Sequence, residues 1–310
     1  RPDEPFVLYI GLVAPHFPLV APEEFFALYS SEVMPEPKLQ PASGYQRHPW
    51  VQAYADFMDN EGEFKSPEER RQAFVAYYAL CSFLDHNVGR ITQALCDAGL
   101  EGDTTLVYTS DHGDNLGTRG LWGKSTLYQE SVRVPMVVAG PGVQPGVCET
   151  PVDLLDLFPT ILQGVGMDPA PEMQDRPGRS LLELGAAPAE PERVVFSEYH
   201  AAGSNTAGFM VRKGRYKFHY YVRHRPELFD LVADPEELAD LASDPAHADV
   251  LRAMELELRA ICDPEAVDAL AKADQLRMIE RLGGVQVASR MGAGGATPVP
   301  QEVLSAAEPG

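Results

Sequence analysis

The chain has 310 residues, 45% of them hydrophobic and 9% aromatic, a composition that makes it globular and excludes a disordered chain. Its formal net charge of −21 excludes nucleic acid as a partner, because so acidic a surface has nothing to neutralise phosphates. An anionic substrate would need a local cluster of cations or a metal, and with no apolar run long enough to cross a bilayer no membrane partner is expected.

Residues 6–13, FVLYIGLV, form a nearly unbroken apolar run that predicts a strand covered on both faces in a parallel sheet. The run stops at Ala14-Pro15-His16-Phe17-Pro18, where prolines on either side leave His16 little backbone freedom. A histidine so placed serves either structure or catalysis. Pro22-Glu23-Glu24 opens a short helix, with acids in the first turn. Residues 31–65, rich in proline and polar groups, read as a long surface excursion. Ser66-Pro67-Glu68-Glu69 is a capping box. It starts a long amphipathic helix whose apolar stripe runs through Phe74, Tyr77, Cys81, Leu84, Val88, Ile91 and Leu95 and ends near Gly99. On that helix Cys81 and Cys96 lie about 22 Å apart and cannot be bridged. Cys148 and Cys262 add no metal-ligand spacing, so a reducing compartment, the cytoplasm, is expected.

In residues 105–135 the short strand Leu106-Val107-Tyr108 gives way to Ser110, Asp111, His112, Gly113, Asp114 and Asn115. Ligands bind outside the carboxyl ends of strands in open α/β sheets, so Asp111 and His112 are candidate metal ligands. The alternative is an ordinary strand-to-turn junction. Lys124, after a glycine-rich turn, favours the site. Residues 134–139 read as another buried strand. Thr150-Pro151 opens a second amphipathic helix, interrupted by Pro159 and closed by Gly164 or Gly166. The helical pieces are long enough for crossovers.

Proline and glycine dominate residues 169–193, a candidate boundary. Beyond it, residues 194–199, 208–212 and 215–222 predict a smaller antiparallel sheet, the last two strands joined through Lys213-Gly214 as a hairpin. Residues 226–231 lead into acid-rich, helix-prone segments up to about Leu282. From Gly283 a Gly/Ala/Pro-rich tail follows, loose or laid over another subunit, and a homo-oligomer is expected. The domains are therefore 1–168, 169–282 and the tail 283–310.

His16 in Pro-His-Phe-Pro, Asp111-His112-Gly113, and Gly123-Lys124-Ser125-Thr126 followed by Arg133-Val134-Pro135 resemble three successive active-site blocks of the sulfatase family, in the alkaline phosphatase superfamily. Ser82-Phe83-Leu84-Asp85 with Asn87-Val88-Gly89, Asp156-Leu157-Phe158-Pro159-Thr160 and Leu228-Phe229-Asp230-Leu231 are similar to further blocks. Gly120-Leu121-Trp122-Gly123-Lys124 resembles the bacterial choline-sulfatase-like branch most. The resemblance implies an α/β fold, with part of an alkaline-phosphatase-like sheet flanked by helices, plus the smaller C-terminal antiparallel sheet with helices. It implies that Asp111 and His112 hold a divalent cation, calcium rather than manganese, although an imidazole tilts toward manganese. Lys124 would hold the sulfate and its leaving oxygen, and His16 would bind the sulfuryl group or protonate the leaving alcohol. The implied substrate is a small-molecule sulfate ester.

The family's nucleophile motif, Cys/Ser-x-Pro-x-Arg, which is converted to formylglycine, is absent, as is its upstream Asp-Asp metal pair. Cys262-Asp263-Pro264-Glu265-Ala266 imitates the motif with alanine in place of arginine, and it lies after the other blocks, where the family's nucleophile precedes them. The expectation is a C-terminal sulfatase portion, inactive alone, with formylglycine belonging to a missing N-terminal part. A phosphonate monoester or phosphodiester hydrolase and a non-catalytic binding subunit are the alternatives. A choline-like ammonium would want an aromatic cage; Trp122, Tyr220 and Tyr221 are available, with packing the expected role of each.

Overall fold

The computed structural model describes residues 4–173 and 175–288, so the predicted tail lies outside the described residues from position 289 on. The first departure comes at once. Residues 6–13 form no strand, and their apolar side chains stand open, from Leu12 at 40% to Tyr9 at 89% exposure. Their composition suits a buried strand, but no strand among the described residues pairs with them, and without a ladder the segment stays merely extended.

Helix α1 (Glu23–Phe26) begins after Pro22 and packs on the long helix that follows later. Helix α2 (Pro49–Phe57) overturns the reading of residues 31–65 as a surface excursion, because it carries Trp50, Val51 and Tyr54 into the core. His48 caps it by accepting from the Trp50 amide at 3.2 Å, and Pro49 sits where a missing N–H costs nothing. Proline-rich flanks hid this short helix. Helix α3 (Pro67–Asp97) starts as expected, with Ser66 Oγ accepting from the Glu69 amide at 3.1 Å, and Gly99 follows it with φ +68°. It carries Cys81 and Cys96, and all four cysteines are unpaired.

Strand β1 (Leu106–Thr109) leads into the polar loop, and α4 (Gln129–Val132) precedes β2 (Met136–Ala139). The two strands pair antiparallel, Leu106 opposite Ala139 and Thr109 opposite Met136. Helix α5 (Leu157–Gly164) tolerates Pro159 in its first turn and packs on α6 (Leu181–Ala186). Buried Asp156 at its start takes two hydrogen bonds from the Arg193 guanidinium, at 2.9 and 2.7 Å.

Strands β3 (Val195–Tyr199), β4 (Gly208–Lys213), β5 (Tyr216–Tyr221) and β6 (Glu227–Asp230) form an antiparallel meander in that order. The β4–β5 turn closes at Lys213 opposite Tyr216, with Gly214 at φ +56°. Residues 227–230, given no strand from the sequence, form β6 by pairing with β5, Phe218 opposite Leu228, and the acid-rich stretch beyond them is helical as expected. Alternate residues serve two cores. Met210, Tyr221 and Phe229 face Trp50, Leu127 and Tyr128, whereas Phe209, Val211 and Phe218 face Met254 and Leu258 of α7 (Ala248–Ile261). Helices α8 (Pro264–Arg281) and α9 (Val285–Ala288) complete the described chain, in which no helix is long and apolar enough to cross a membrane.

Candidate functional site

The candidate residues sit on three loops. Residues 14–18 follow the extended N-terminal stretch, residues 110–117 leave β1, and residues 121–128 return toward α4. The first loop carries cis Ala14-Pro15 and Phe17-Pro18 bonds on either side of His16. The His16 ring has Nδ1 2.7 Å from the Phe17 carbonyl, which assigns the proton to Nδ1 and leaves the Nε2 lone pair free. Lys124 Nζ lies 2.9 Å from that Nε2 and donates to it. The same ammonium stands 5.8 Å from the centre of the Phe17 ring.

His112 completes the cluster, its ring centre 5.9 Å from that of His16. Its Nδ1 donates to the Gly113 carbonyl at 2.8 Å, so its Nε2 also presents a lone pair, 3.6 Å from Asp111 Oδ2. A carboxylate oxygen and an imidazole nitrogen facing each other in this way fit a shared divalent cation. The set is incomplete for calcium, which takes about six to eight oxygens. Among the described residues no group of three or more His, Cys, Asp or Glu side chains could hold a metal. The structure thus brings His16, His112 and Lys124 together, with Asp111 beside them and open to solvent.

The loop geometry has a local cause. Gly113 donates to the Ser131 carbonyl at 2.8 Å, and a Cβ on it would meet the Glu130 carbonyl oxygen at 2.0 Å, so only glycine fits there. Asp114 Oδ1 accepts from the Leu116 and Gly123 amides at 2.8 and 3.0 Å; burial pushes its carboxyl up, while those hydrogen bonds and the charge of Lys124 oppose the shift. Neither Asp114 nor Asn115 stood out in the sequence as more than turn residues.

Behind the site, buried polar groups join the returning loop to the meander. Tyr128 Oη and Tyr221 Oη donate to Glu227, and burial holds the Glu227 carboxyl above its usual range. The Arg119 guanidinium lies 3.6 Å from the centre of the Tyr128 ring and pairs with Glu130 at 3.2 Å. Two of the three aromatic cage candidates are closed, and the third, Tyr220, is half-buried. Trp122 is packed between Phe64 and Phe74 and donates to Glu61, Tyr221 is buried, and the Tyr220 hydroxyl bonds Glu265.

The sulfatase family model matches residues 1–167, and the model of the N-sulphoglucosamine sulphohydrolase C-terminal region matches residues 117–263. The chain is 34% identical over 280 residues to a choline-sulfatase of Rhizobium meliloti (strain 1021), covering 88% of this chain and 54% of that protein. It is 32% identical over 293 residues to arylsulfatase K of Bos taurus, covering 86% and 52% respectively. In structure it is similar to the phosphonate monoester hydrolase SpPMH from Silicibacter pomeroyi, with a TM-score of 0.68 and 30% identity, over 79% of this chain and 53% of that one. The chain spans about half the length of the relatives it matches.

Proposed function

The chain belongs to the sulfatase family, and from that premise we propose that it forms the anion-holding part of a metal-dependent sulfuric ester hydrolase. The observation that carries this reading is the 2.9 Å contact of Lys124 Nζ with His16 Nε2, beside His112. The Lys124 ammonium, a compact charge, neutralises the sulfate and the oxygen on which charge develops as the ester bond breaks. His16 Nε2 is the working atom, because Nδ1 is occupied by the Phe17 carbonyl; it takes a proton from the medium and hands it to the departing alcohol oxygen, while Lys124 stays charged. Asp111 and His112 would hold a divalent cation, with calcium favoured by the carboxylate and manganese by the imidazole. When present, the cation and formylglycine supply Lewis acidity and the attacking oxygen.

The 310 residues hold no Cys/Ser-x-Pro-x-Arg motif, so the nucleophile belongs to polypeptide outside them. The test compares the purified chain with a longer polypeptide that includes such a motif, using an aryl sulfate with calcium or manganese added. No turnover is expected from the first and measurable turnover from the second. Robust hydrolysis by the 310-residue chain would overturn this placement of the nucleophile. The likeness to SpPMH favours a second reading, phosphonate monoester hydrolysis, since tetrahedral anions are held by the same groups. Relative rates on sulfate and phosphonate esters decide between the two.

The proposed division remains a catalytic portion, 1–168, and a C-terminal subdomain, 169–282. Unpaired thiols support a cytoplasmic setting. A homo-oligomer is part of the same proposal, and sedimentation would reveal it.

A further inference from the structure

Resting on the assignment of Lys124 to the substrate anion, the geometry points to Asn115 as a positioning residue that fixes the backbone from which Lys124 projects. Asn115 is 1% exposed, and its backbone amide and side-chain polar atoms are spent on the lysine loop. Its backbone amide donates to the Gly123 carbonyl at 2.6 Å, and Nδ2 donates to the same carbonyl at 2.8 Å. Nδ2 also reaches the Lys124 carbonyl at 3.4 Å, and Oδ1 accepts from Thr126 Oγ1 at 3.2 Å. One buried amide therefore grips the residue before the lysine, the lysine itself and the second residue after it.

The loop needs such a grip. Lys124 lies between Gly123 at φ +74° and Ser125 at φ +78°, and a left-handed serine costs roughly 1–2 kcal/mol. A turn of this kind persists only where its surroundings over-determine it. Asp114 holds the Gly123 amide from one side, and Tyr54 and Tyr199 meet the Ser125 side chain from the other. Asn115 alone among these groups touches the Lys124 main chain. A lysine side chain is a flexible stem, so its ammonium can be aimed at His16 only if the Cα is fixed. Asn115 also lies three residues beyond His112, so one short segment carries both the candidate cation ligands and the clamp on the lysine.

The experiment is a double-mutant cycle in the active longer polypeptide, with Asn115→Ala, Thr126→Val, Lys124→Ala and the Lys124→Ala combinations assayed on an aryl sulfate. Asn115→Ala is expected to lower kcat about 10- to 100-fold, as a misplacement on the order of 1 Å does, with KM changed by less than about threefold. Thr126→Val, which removes only the hydroxyl that Asn115 Oδ1 accepts from, is expected to act in the same direction but less, and serves if Asn115→Ala does not fold. Both effects are expected to vanish in the Lys124→Ala background, which a merely structural role would not produce. Wild-type kcat in both single variants, or losses that carry undiminished into the Lys124→Ala background, would overturn the inference while leaving the proposed function standing. Wild-type kcat in Lys124→Ala would instead remove the reading of Lys124, and the inference with it.

Discussion

Residues 6–13 and the β4–β5 hairpin invert what their compositions suggest. The first, FVLYIGLV, has no charged residue and stands exposed; the second holds Arg212, Lys217 and His219 and is largely buried. Apolar content makes burial favourable but does not supply the partner against which to bury. The hairpin has β3 and β6 at its flanks, α2 and the lysine loop on one face and α7 on the other. The fully buried lysine is admitted because it meets a counterpart. Lys217 Nζ lies 2.7 Å from Glu237, both fully buried, and burial pushes the His219 imidazole down to about 3, so that it folds neutral.

The comparison can be broken most sharply at Lys217. Lys217→Ala leaves the Glu237 carboxylate buried without its cation and is expected to cost about 3–5 kcal/mol in urea unfolding. A cost below 1 kcal/mol would mean that the pair is not confined as described. Next is His219. Its folded pKa is depressed below the ordinary 6.5, so its contribution to stability is full above that pH and is lost as pH falls toward 3. At pH 5 the loss amounts to roughly 2 kcal/mol. His219→Gln should flatten the acid limb of the stability curve by that amount, and identical slopes in variant and parent would contradict a neutral buried imidazole.

Smaller again is Gly113→Ala. The new Cβ is driven into the Glu130 carbonyl, and the displaced Asp111–His112 loop should bind calcium or manganese about tenfold more weakly by calorimetry. Unchanged affinity would detach those two residues from the cation. The least effect is expected at Leu8, 70% exposed in this chain: Leu8→Ser should alter its stability by less than about 0.5 kcal/mol. A loss above 1 kcal/mol would show that residues 6–13 already have a packing partner here.

Where the signal was local, the sequence sufficed. The capping box and stripe of α3 lie within one element, and the β4–β5 turn is set by a glycine that accepts positive φ, so their periodicity and caps could be read directly. The candidate residues His16, Asp111, His112 and Lys124 were likewise visible, because their types and order carry the family resemblance. Tertiary structure alone decided the rest. Whether β1 and β2 run antiparallel, whether Trp50 and Tyr54 lie inside, and whether residues 227–230 form a strand all depend on segments distant in the chain. So does the contact of His16 with Lys124, 108 residues apart, and the hold of Asn115 on the lysine loop. A period along the chain reports which face of an element is apolar; which partner meets that face is fixed only when the chain has folded back upon itself.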